Sequence, residues 1–314
     1  MFFKFFVKFN FTLYKKNDII ISTLGGNMMF SNDDKLKAFL KSESKRLGIS
    51  INNTYNTFFS KLLLERVSKY CYSELYVKGS FSELAHLNTM IRPVTDIDLV
   101  STIYHNDPLL ILYQAMYDTN DDLYYELIDI PKRTKTGIYK ISISANFGKI
   151  KHPISIDFQE LSNTIYERDY KKINPIFKGD DYFYIYTPTF EEHLAEKLCI
   201  VIESNKKDIL NTRVKDFYDI YKLNGGKYNK DKLLYFFYHM LIDRNKRNIN
   251  DLSTDFLDDE YVKRHNDMWN SMSKRYEFMD KDVDFRESVY LTKRILDKQI
   301  KGLEKVKTLK IRLR

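Results

Sequence analysis

ELYVKGSFSELAHLNTMIRPVTDIDLVST, residues 74–102, decides the fold: it contains a strand, a Gly79-Ser80 turn that opens a helix, and a second strand. Side chains two residues apart on a strand point to the same face, so Asp96 and Asp98 place two carboxylates together, as a divalent metal requires. A helix that begins at Ser80 offers free backbone N–H groups to phosphate oxygens. Together these features indicate half of a nucleotidyl-transfer site, although an isolated Asp-x-Asp pair is often only a solvated strand end.

A third carboxylate follows in HPISIDF, residues 152–158, an apolar strand that contains Asp157. Polymerase-type catalysis uses two carboxylates that bridge two metal ions and a third that binds the ion activating the acceptor hydroxyl. We therefore expect the strand of Asp157 to lie beside that of Asp96 and Asp98, with the carboxylates about 4–5 Å apart. These three residues are the predicted ligands of Mg²⁺ or Mn²⁺.

The composition is that of a globular protein with one large domain or two. The chain has 314 residues and a mass of 37.6 kDa, and 43% of its residues are hydrophobic. Its two cysteines, Cys71 and Cys199, lie in apolar helical sequence, which favours a reducing compartment such as the cytoplasm. The six histidines show no metal-ligand spacing, so a zinc site is not indicated.

Most of the net charge of +8 lies at the C-terminus. Residues 293–314 contain nine basic and two acidic residues, which leaves +7 in this segment. A basic helix of this kind suits a polyanion such as RNA, whereas the alternative is a solvated face that keeps the protein soluble. The basic residues are Lys293, Arg294, Lys298, Lys301, Lys305, Lys307, Lys310, Arg312 and Arg314.

Strand and helix patterns divide the chain near residue 188. Before this point, β-branched and aromatic stretches alternate with helices, and after it apolar residues recur at helical spacing. The predicted fold class is α+β, a mixed sheet with helices followed by an all-α C-terminal domain. We expect an N-terminal extension over residues 1–30, an α/β domain over 31–188, and a helical domain with the basic tail over 189–314. Lysines interrupt the apolar N-terminal segment, which argues against a membrane span there.

Two helices of the second half carry charges on their apolar faces. Thr189 and Glu192 form a capping box that starts the first helix, and Lys197 lies within its apolar stripe. The next helix places Asp216 among apolar residues and Asp219 at their border. A lysine is costly to bury without an anionic partner. Lys197 therefore extends its ammonium to solvent, reaches a cleft that holds phosphate, or pairs with Asp216. The last two can hold together, since a paired lysine can still face a nucleotide.

These residues and their order resemble the AbiEii/AbiGii nucleotidyltransferase toxins, the toxic half of bacterial toxin–antitoxin and abortive-infection pairs. The matching stretches, within residues 31–224, are VKGSFSELAHLNTMIRPVTDIDL, ISIDF, YTPTFEEHLAEKL and NTRVKDFYDIYKL. The resemblance implies a polymerase-β-like fold and metal-dependent transfer of a nucleoside monophosphate from an NTP to an acceptor hydroxyl. Characterised relatives modify the acceptor end of tRNA, so it also implies an RNA 3′ end as the acceptor, with a cognate antitoxin as a partner.

The resemblance implies a role for each residue that matches the family pattern. The implied catalytic residues are Asp96, Asp98, Asp157, Lys197, Asp216 and Asp219. The residues implied to bind the nucleotide and its phosphates are Gly79, Ser80, Arg92 and Lys197. The chain departs from many relatives where they have a second glycine at Ser80 and a Ser or Thr at Val94, with Thr95 adjacent.

Other functions stay open on the sequence alone. The nucleotidyl group could pass to a protein side chain or to a small molecule, as it does in antibiotic-modifying relatives. The chain could also be a catalytically silent nucleotide-binding module, but all three carboxylate positions are filled, which argues against this alternative. Incubation with labelled NTP and separated cell fractions distinguishes these functions.

Overall fold

A computed structural model describes residues 30–71, 75–101, 108–117, 122–160, 167–204, 213–244, 248–276 and 279–312. The predicted N-terminal extension lies outside these ranges except for Phe30. The side chains of Cys71 and of the residues after Lys305 also lie outside the description. The basic tail is therefore described as a helix, with its last side chains omitted.

The first part of the chain contains both helices and strands. Its helices are α1 (Asp33–Leu47), α2 (Ile51–Cys71), α3 (Gly79–Leu87) and α4 (Pro108–Met116). Its strands are β1 (Leu75–Lys78), β2 (Ile97–Ser101), β3 (Tyr124–Leu127), β4 (Lys132–Arg133), β5 (Tyr139–Phe147), β6 (Ile150–Glu160), β7 (Arg168–Ile173) and β8 (Phe183–Pro188).

The part after residue 188 is helical in every range that the structure describes. Its α-helices are α5 (Phe190–Ser204), α6 (Val214–Leu223), α7 (Lys230–Tyr238), α8 (Asp259–Arg275) and α9 (Phe285–Arg312). Residues His239–Arg244 continue α7 as a π-helix. The predicted start of α5 is confirmed, because the Glu192 N–H donates to the Thr189 hydroxyl at 3.3 Å. No described helix combines the length and the hydropathy that a bilayer span requires.

Within the described ranges, six strands form one mixed sheet. The order is β1-β2-β6-β5-β3, and β4 pairs with β5. Strands β2 and β6 run parallel, and the other pairs in the sheet are antiparallel. Along β6, the buried residues Ile154, Ile156 and Phe158 alternate with more exposed ones, as expected for a strand with one face on a core. The predicted fold class is confirmed.

The apolar side chains of the described residues form two clusters. One joins α1–α4 to the sheet, and the other joins α5–α9. Ile91, which lies between α3 and β2, belongs to the second cluster and so links the two parts. Strands β7 and β8 form a separate antiparallel pair, which packs on β1 and α3. Along the chain the first cluster ends at Ile185 and the second, Ile91 apart, begins at Leu194. The predicted domain boundaries stay a prediction.

Candidate active site

Asp96, Asp98 and Asp157 meet on one face of the mixed sheet. Asp98 and Asp157 are register partners on the parallel strands β2 and β6, and Asp96 lies two residues before Asp98. Their side chains therefore share a face. One carboxylate oxygen from each lies within 4.8 Å of the others. The sheet register thus produces the expected juxtaposition, whereas the metal-binding role stays a prediction.

The carboxylates repel one another in a partly buried position. Burial, followed by the negative charges of Asp96 and Asp157, raises the pKa of Asp98 to about 6. Lysines surround the group: Lys140 on β5 forms an ion pair with Asp157, and Lys78 at the end of β1 pairs with Glu196 of α5. A set of carboxylate oxygens at this spacing fits a hard divalent cation such as Mg²⁺, which would relieve the repulsion.

Gly79 gives the Asp98 carboxylate the space it occupies. Its φ is +62°, a left-handed conformation that glycine adopts without steric cost. A Cβ added at this position would stand 3.0 Å from the Asp98 Cγ and would overlap the Asp98 Oδ2. Gly79 is also the first residue of α3. The same turn therefore orients the N-terminus of this helix and leaves space for the Asp98 carboxylate. The predicted phosphate-cradle role of Gly79 and Ser80 stays a prediction.

The two residues before Asp96 have separate roles. Val94 is buried in the first core, and its carbonyl accepts a hydrogen bond from the Asn56 side chain at 2.8 Å. The Thr95 hydroxyl donates to Asp96 Oδ1 at 3.0 Å. The Thr95 hydroxyl thus contacts a carboxylate of the cluster, whereas the Val94 side chain belongs to the core.

Lys197 lies in a buried cluster of ionised side chains. Its ammonium stands 2.6 Å from Asp219, 3.0 Å from Glu83 and 3.1 Å from Asp216. Arg92 pairs with Asp219 at 3.1 Å and with Glu83 at 3.2 Å. None of the five side chains is more than 9% exposed. The salt bridge expected between Lys197 and Asp216 is present, as one contact of a larger network.

The network connects α3, α5 and α6 to the Gly79-Ser80 turn. Arg92 donates through Nη1 to the Ser80 hydroxyl at 2.6 Å, and it also holds Asp219 of α6. Lys197 therefore reaches the turn through Glu83 and Arg92, while its own ammonium contacts three carboxylates. The direct nucleotide contacts expected of Lys197, Arg92, Asp216 and Asp219 stay predictions. Their observed contacts include one another, Glu83 and Ser80.

Opposite charges in this cluster favour one another's ionised forms. Burial alone would lower the pKa values of Lys197 and Arg92, but the carboxylates around them, Asp219 and Glu83 foremost, raise both. Burial favours protonation of Glu83, yet Arg92 and Lys197 hold its pKa well below the usual range. Burial raises the pKa of Asp219 despite the same two cations. Removal of either cation would leave buried carboxylates with one positive partner.

The sequence reasoning missed four charged residues at or beside the site: Lys78, Glu83, Lys140 and Glu196. The position of Lys140 could have been predicted from the hairpin. The Gly148-Lys149 turn pairs Phe147 with Ile150, and this register sets Lys140 opposite Asp157. Glu83 is the only acidic residue of α3, a helix whose other residues except His86 are apolar or hydroxyl-bearing, which indicates a buried partner for its carboxylate. The other two depend on contacts between elements that are distant in sequence.

The comparison with protein families agrees with the resemblance. A family model described as "Nucleotidyl transferase AbiEii toxin, Type IV TA system" matches residues 64–290, more than half of the chain. No sequence among curated proteins matches.

Among solved structures, JHP933 from Helicobacter pylori is 14% identical, with 84% of this chain and 99% of that chain covered and a TM-score of 0.49. A putative nucleotidyltransferase from the same organism is 15% identical, with coverages of 80% and 97% and a TM-score of 0.48. An antigenic nucleotidyltransferase-like protein from Paracoccidioides brasiliensis is 12% identical, with coverages of 62% and 89% and a TM-score of 0.36.

Proposed function

Because the chain belongs to the AbiEii family of nucleotidyl transferase toxins, we propose that it transfers a nucleoside monophosphate from an NTP to the 3′ end of an RNA, with divalent metal held by Asp96, Asp98 and Asp157. The observation that carries the proposal is the meeting of these three carboxylates beside the Gly79 turn. Nucleotidyl transfer itself follows from the family, and the metal and the RNA acceptor are the proposed parts.

The residues present fit a divalent metal, which would supply charge neutralisation at the reacting phosphate and would activate the acceptor hydroxyl. The chain's own contribution is to fix the ligands. The sheet register sets Asp98 beside Asp157, Thr95 orients Asp96, and Gly79 leaves room for Asp98. Preorganised charge of this kind lowers the barrier because it needs no rearrangement during the reaction.

Positive groups near the carboxylates would receive the triphosphate. The N-terminus of α3 begins at Gly79, where backbone N–H groups and the helix dipole favour an anion. Lys78 and Lys140 form ion pairs with Glu196 and Asp157, and bound phosphates would compete for both ammonium groups. The buried network of Lys197 and Arg92 holds α5 and α6 against α3, which keeps the turn in position.

An RNA acceptor accounts for the basic C-terminal segment. Helix α9 packs along α6 and α7, and its sequence from Lys293 onward supplies most of the net charge. We expect this segment to form part of a positive surface continuous with the carboxylate cluster, and charge reversal at Lys305 and the later lysines should weaken binding of RNA more than of NTP. The side chains after Lys305 lie outside the described residues.

We also propose the cytoplasm as the compartment and a cognate antitoxin as a partner. Cys199 is buried in the helical core, which agrees with the reducing compartment inferred from the sequence. The family description names a type IV toxin–antitoxin system, which supports the antitoxin proposal.

The test is transfer of label from each α-³²P-labelled NTP into total cell extract with Mg²⁺, followed by separation of RNA, protein and small molecules. The proposal predicts label in RNA, at the 3′ end, with one or a few donor nucleotides preferred, and loss of the signal after RNase treatment of the extract. Label in protein, or in a small-molecule fraction that survives RNase, would replace the RNA acceptor with one of the two alternatives. No incorporation from any NTP would count against catalysis and favour the silent nucleotide-binding module.

A further inference from the structure

We propose that the outer face of the β7–β8 pair is a stacking platform for a single-stranded segment of RNA. The face is built from two basic residues and four tyrosines, and it lies outside the carboxylate site. The inference rests on the proposed function in one respect, because it assigns the platform to the RNA that is the acceptor. The residues of this tyrosine face are Arg168, Tyr170, Lys172, Tyr182, Tyr184 and Tyr186.

The alternation of the two strands separates this face from the core. Ile173, Ile185 and Thr187 point inward and are buried, and the Thr187 hydroxyl donates to that of Ser82 on α3 at 2.5 Å. The residues of the tyrosine face alternate with these inward residues and point outward. Tyr170 is 48% exposed and Tyr184 is 37% exposed, which is unusual for large rings on a well-packed strand pair. The platform is therefore held rigidly from behind while its rings face solvent.

The rings already form a stack. Tyr170 and Tyr184 lie with centroids 4.9 Å apart and planes 14° from parallel, and Tyr170 lies 4.9 Å from Tyr186 at 43°. Tyr182, 54% exposed, meets Tyr184 edge to face at 5.8 Å. Every nucleobase has a planar face, so a row of this kind accepts unpaired bases of any sequence by continuing the stack.

Cations are interleaved with the rings. Arg168 stands over Tyr186 at 5.3 Å, and Lys172 stands over Tyr182 at 4.3 Å. None of the six residues of the tyrosine face is acidic, and Asp169 lies on the inner side of the strand, where it contacts Lys171. Aromatic faces with positive charge between them match a chain of bases joined by phosphates. This charge pattern favours RNA, because a protein partner would not require a face on which every charge is positive.

The platform is close to the carboxylate site along the chain. Strand β8 leads through Thr189 into α5, where Glu196 pairs with Lys78 beside Gly79. The path from Tyr186 to Glu196 is at most about 20 Å, at about 3.3 Å per strand residue and 1.5 Å per helix residue. About six nucleotides at roughly 3.4 Å each span such a distance. A strand held on the tyrosines could thus place its end at the carboxylates.

The test is binding of a fluorescein-labelled 12-nucleotide single-stranded RNA, followed by anisotropy, with a blunt RNA duplex as the second probe. Tyr170→Ala/Tyr184→Ala should weaken single-strand binding about 5- to 150-fold for each base that loses its stacking partner. Tyr170→Phe/Tyr184→Phe keeps the rings and should stay within about twofold of wild type. Tyr124→Ala removes a tyrosine that is 46% exposed on β3, and it should bind as wild type does.

Charge is tested separately from stacking. Arg168→Gln/Lys172→Gln keeps every ring, and the slope of log affinity against log salt should become shallower by about 1.4, since each single-strand phosphate contact contributes about 0.7. Thermal melting checks that each variant is folded. We expect melting temperatures close to that of wild type, because exposed cross-strand pairs contribute little to stability.

Three results would overturn the platform: unchanged RNA affinity in the alanine double variant, equal binding of the duplex, or loss of binding to a protein partner with RNA affinity intact. Measurement of NMP transfer to RNA in the same variants separates this inference from the proposed function. Single-strand binding that depends on the tyrosines, without any transfer, supports the platform and refutes the RNA acceptor. Transfer that continues with an unchanged KM for RNA in the alanine variant refutes the platform and leaves the function intact.

Discussion

Replacement of Gly79 by alanine perturbs the carboxylate site through one methyl group. The substitution has two separate effects, since Gly79 has a φ of +62° and its missing Cβ is the space that Asp98 fills. An alanine in the left-handed conformation costs about 1–2 kcal/mol. Overpacking against the carboxylate adds about 1–3 kcal/mol, or the carboxylate moves away by roughly 1 Å. We expect a total loss of about 2–5 kcal/mol in the free energy of unfolding.

The effect on catalysis should exceed the effect on stability. A misplacement of about 1 Å at a reacting centre can cost about 100-fold in rate. The assay is label transfer from α-³²P-NTP at saturating Mg²⁺, with urea unfolding and Mn²⁺ binding measured on the same samples. If the close approach to Asp98 is the cause, Mn²⁺ affinity falls together with the rate, while binding of NTP without metal changes little.

Gly137 provides the matched control. Its φ is +85°, and an added Cβ would meet only the Arg133 guanidinium, at 3.9 Å. Gly137→Ala should therefore lose the same 1–2 kcal/mol of backbone strain and retain wild-type transfer. Gly79→Ala with transfer within about threefold of wild type, or with the same stability loss as Gly137→Ala, would refute the argument that Gly79 is required by Asp98.

Three further substitutions test the surrounding electrostatics by urea unfolding. Lys197→Met should lose about 3–5 kcal/mol because it leaves buried carboxylates uncompensated. Lys232→Met removes a half-exposed ion pair and should leave the stability close to that of wild type, so equal losses in the two variants would contradict the buried-network argument. Burial lowers the pKa of His86 from 6.5 to about 4, so its contribution is complete above about pH 6.5 and is lost as the pH falls toward 4. His86→Gln should remove up to about 3 kcal/mol of that acid sensitivity, and an unchanged pH profile would show that His86 does not titrate in this way. Burial and repulsion by Asp96 and Asp157 raise the pKa of Asp98 to about 6, so its charge destabilises the metal-free protein at pH 7. Asp98→Asn removes this charge and should raise the stability by up to about 3 kcal/mol, whereas a destabilised variant would contradict the repulsion.

Much of the fold and of the carboxylate cluster could be predicted because both depend on local patterns. The alternation along residues 152–158 and the Asp96-x-Asp98 spacing determine which face each side chain occupies. Parallel pairing of β2 with β6 then sets Asp98 opposite Asp157. The helix starts at Thr189 and Gly79 follow from capping and turn chemistry in the same way.

The buried ion network could be predicted only in part. The apolar stripe around Lys197 indicated a partner, and Asp216 was the right one to expect. The roles of Glu83 and Arg92 depend on how α3 packs against α5 and α6, a packing that local periodicity does not specify. Lys197 contacts three carboxylates, of which the sequence indicated Asp216, and its contact with a nucleotide stays a prediction.

The tyrosine face was visible only as strand sequence. YFYIYT predicts a strand, but the ring stack exists because Tyr170 of β7 pairs in register with Tyr186 of β8. The intervening residues do not reveal that register, since the two strands are not joined by a short turn. Such a surface depends on the pairing of strands that are separated in sequence.

Transfer of label by Asp98→Asn tests the central claim most directly. Wild-type protein, Asp98→Asn and the exposed control Asp129→Asn are incubated with α-³²P-NTP, RNA and Mg²⁺, with and without EDTA. The account predicts transfer by wild type and by Asp129→Asn that EDTA abolishes, and a loss of more than about 100-fold in Asp98→Asn, which should still be folded. Transfer by Asp98→Asn within about tenfold of wild type, or transfer that persists in EDTA, would contradict it.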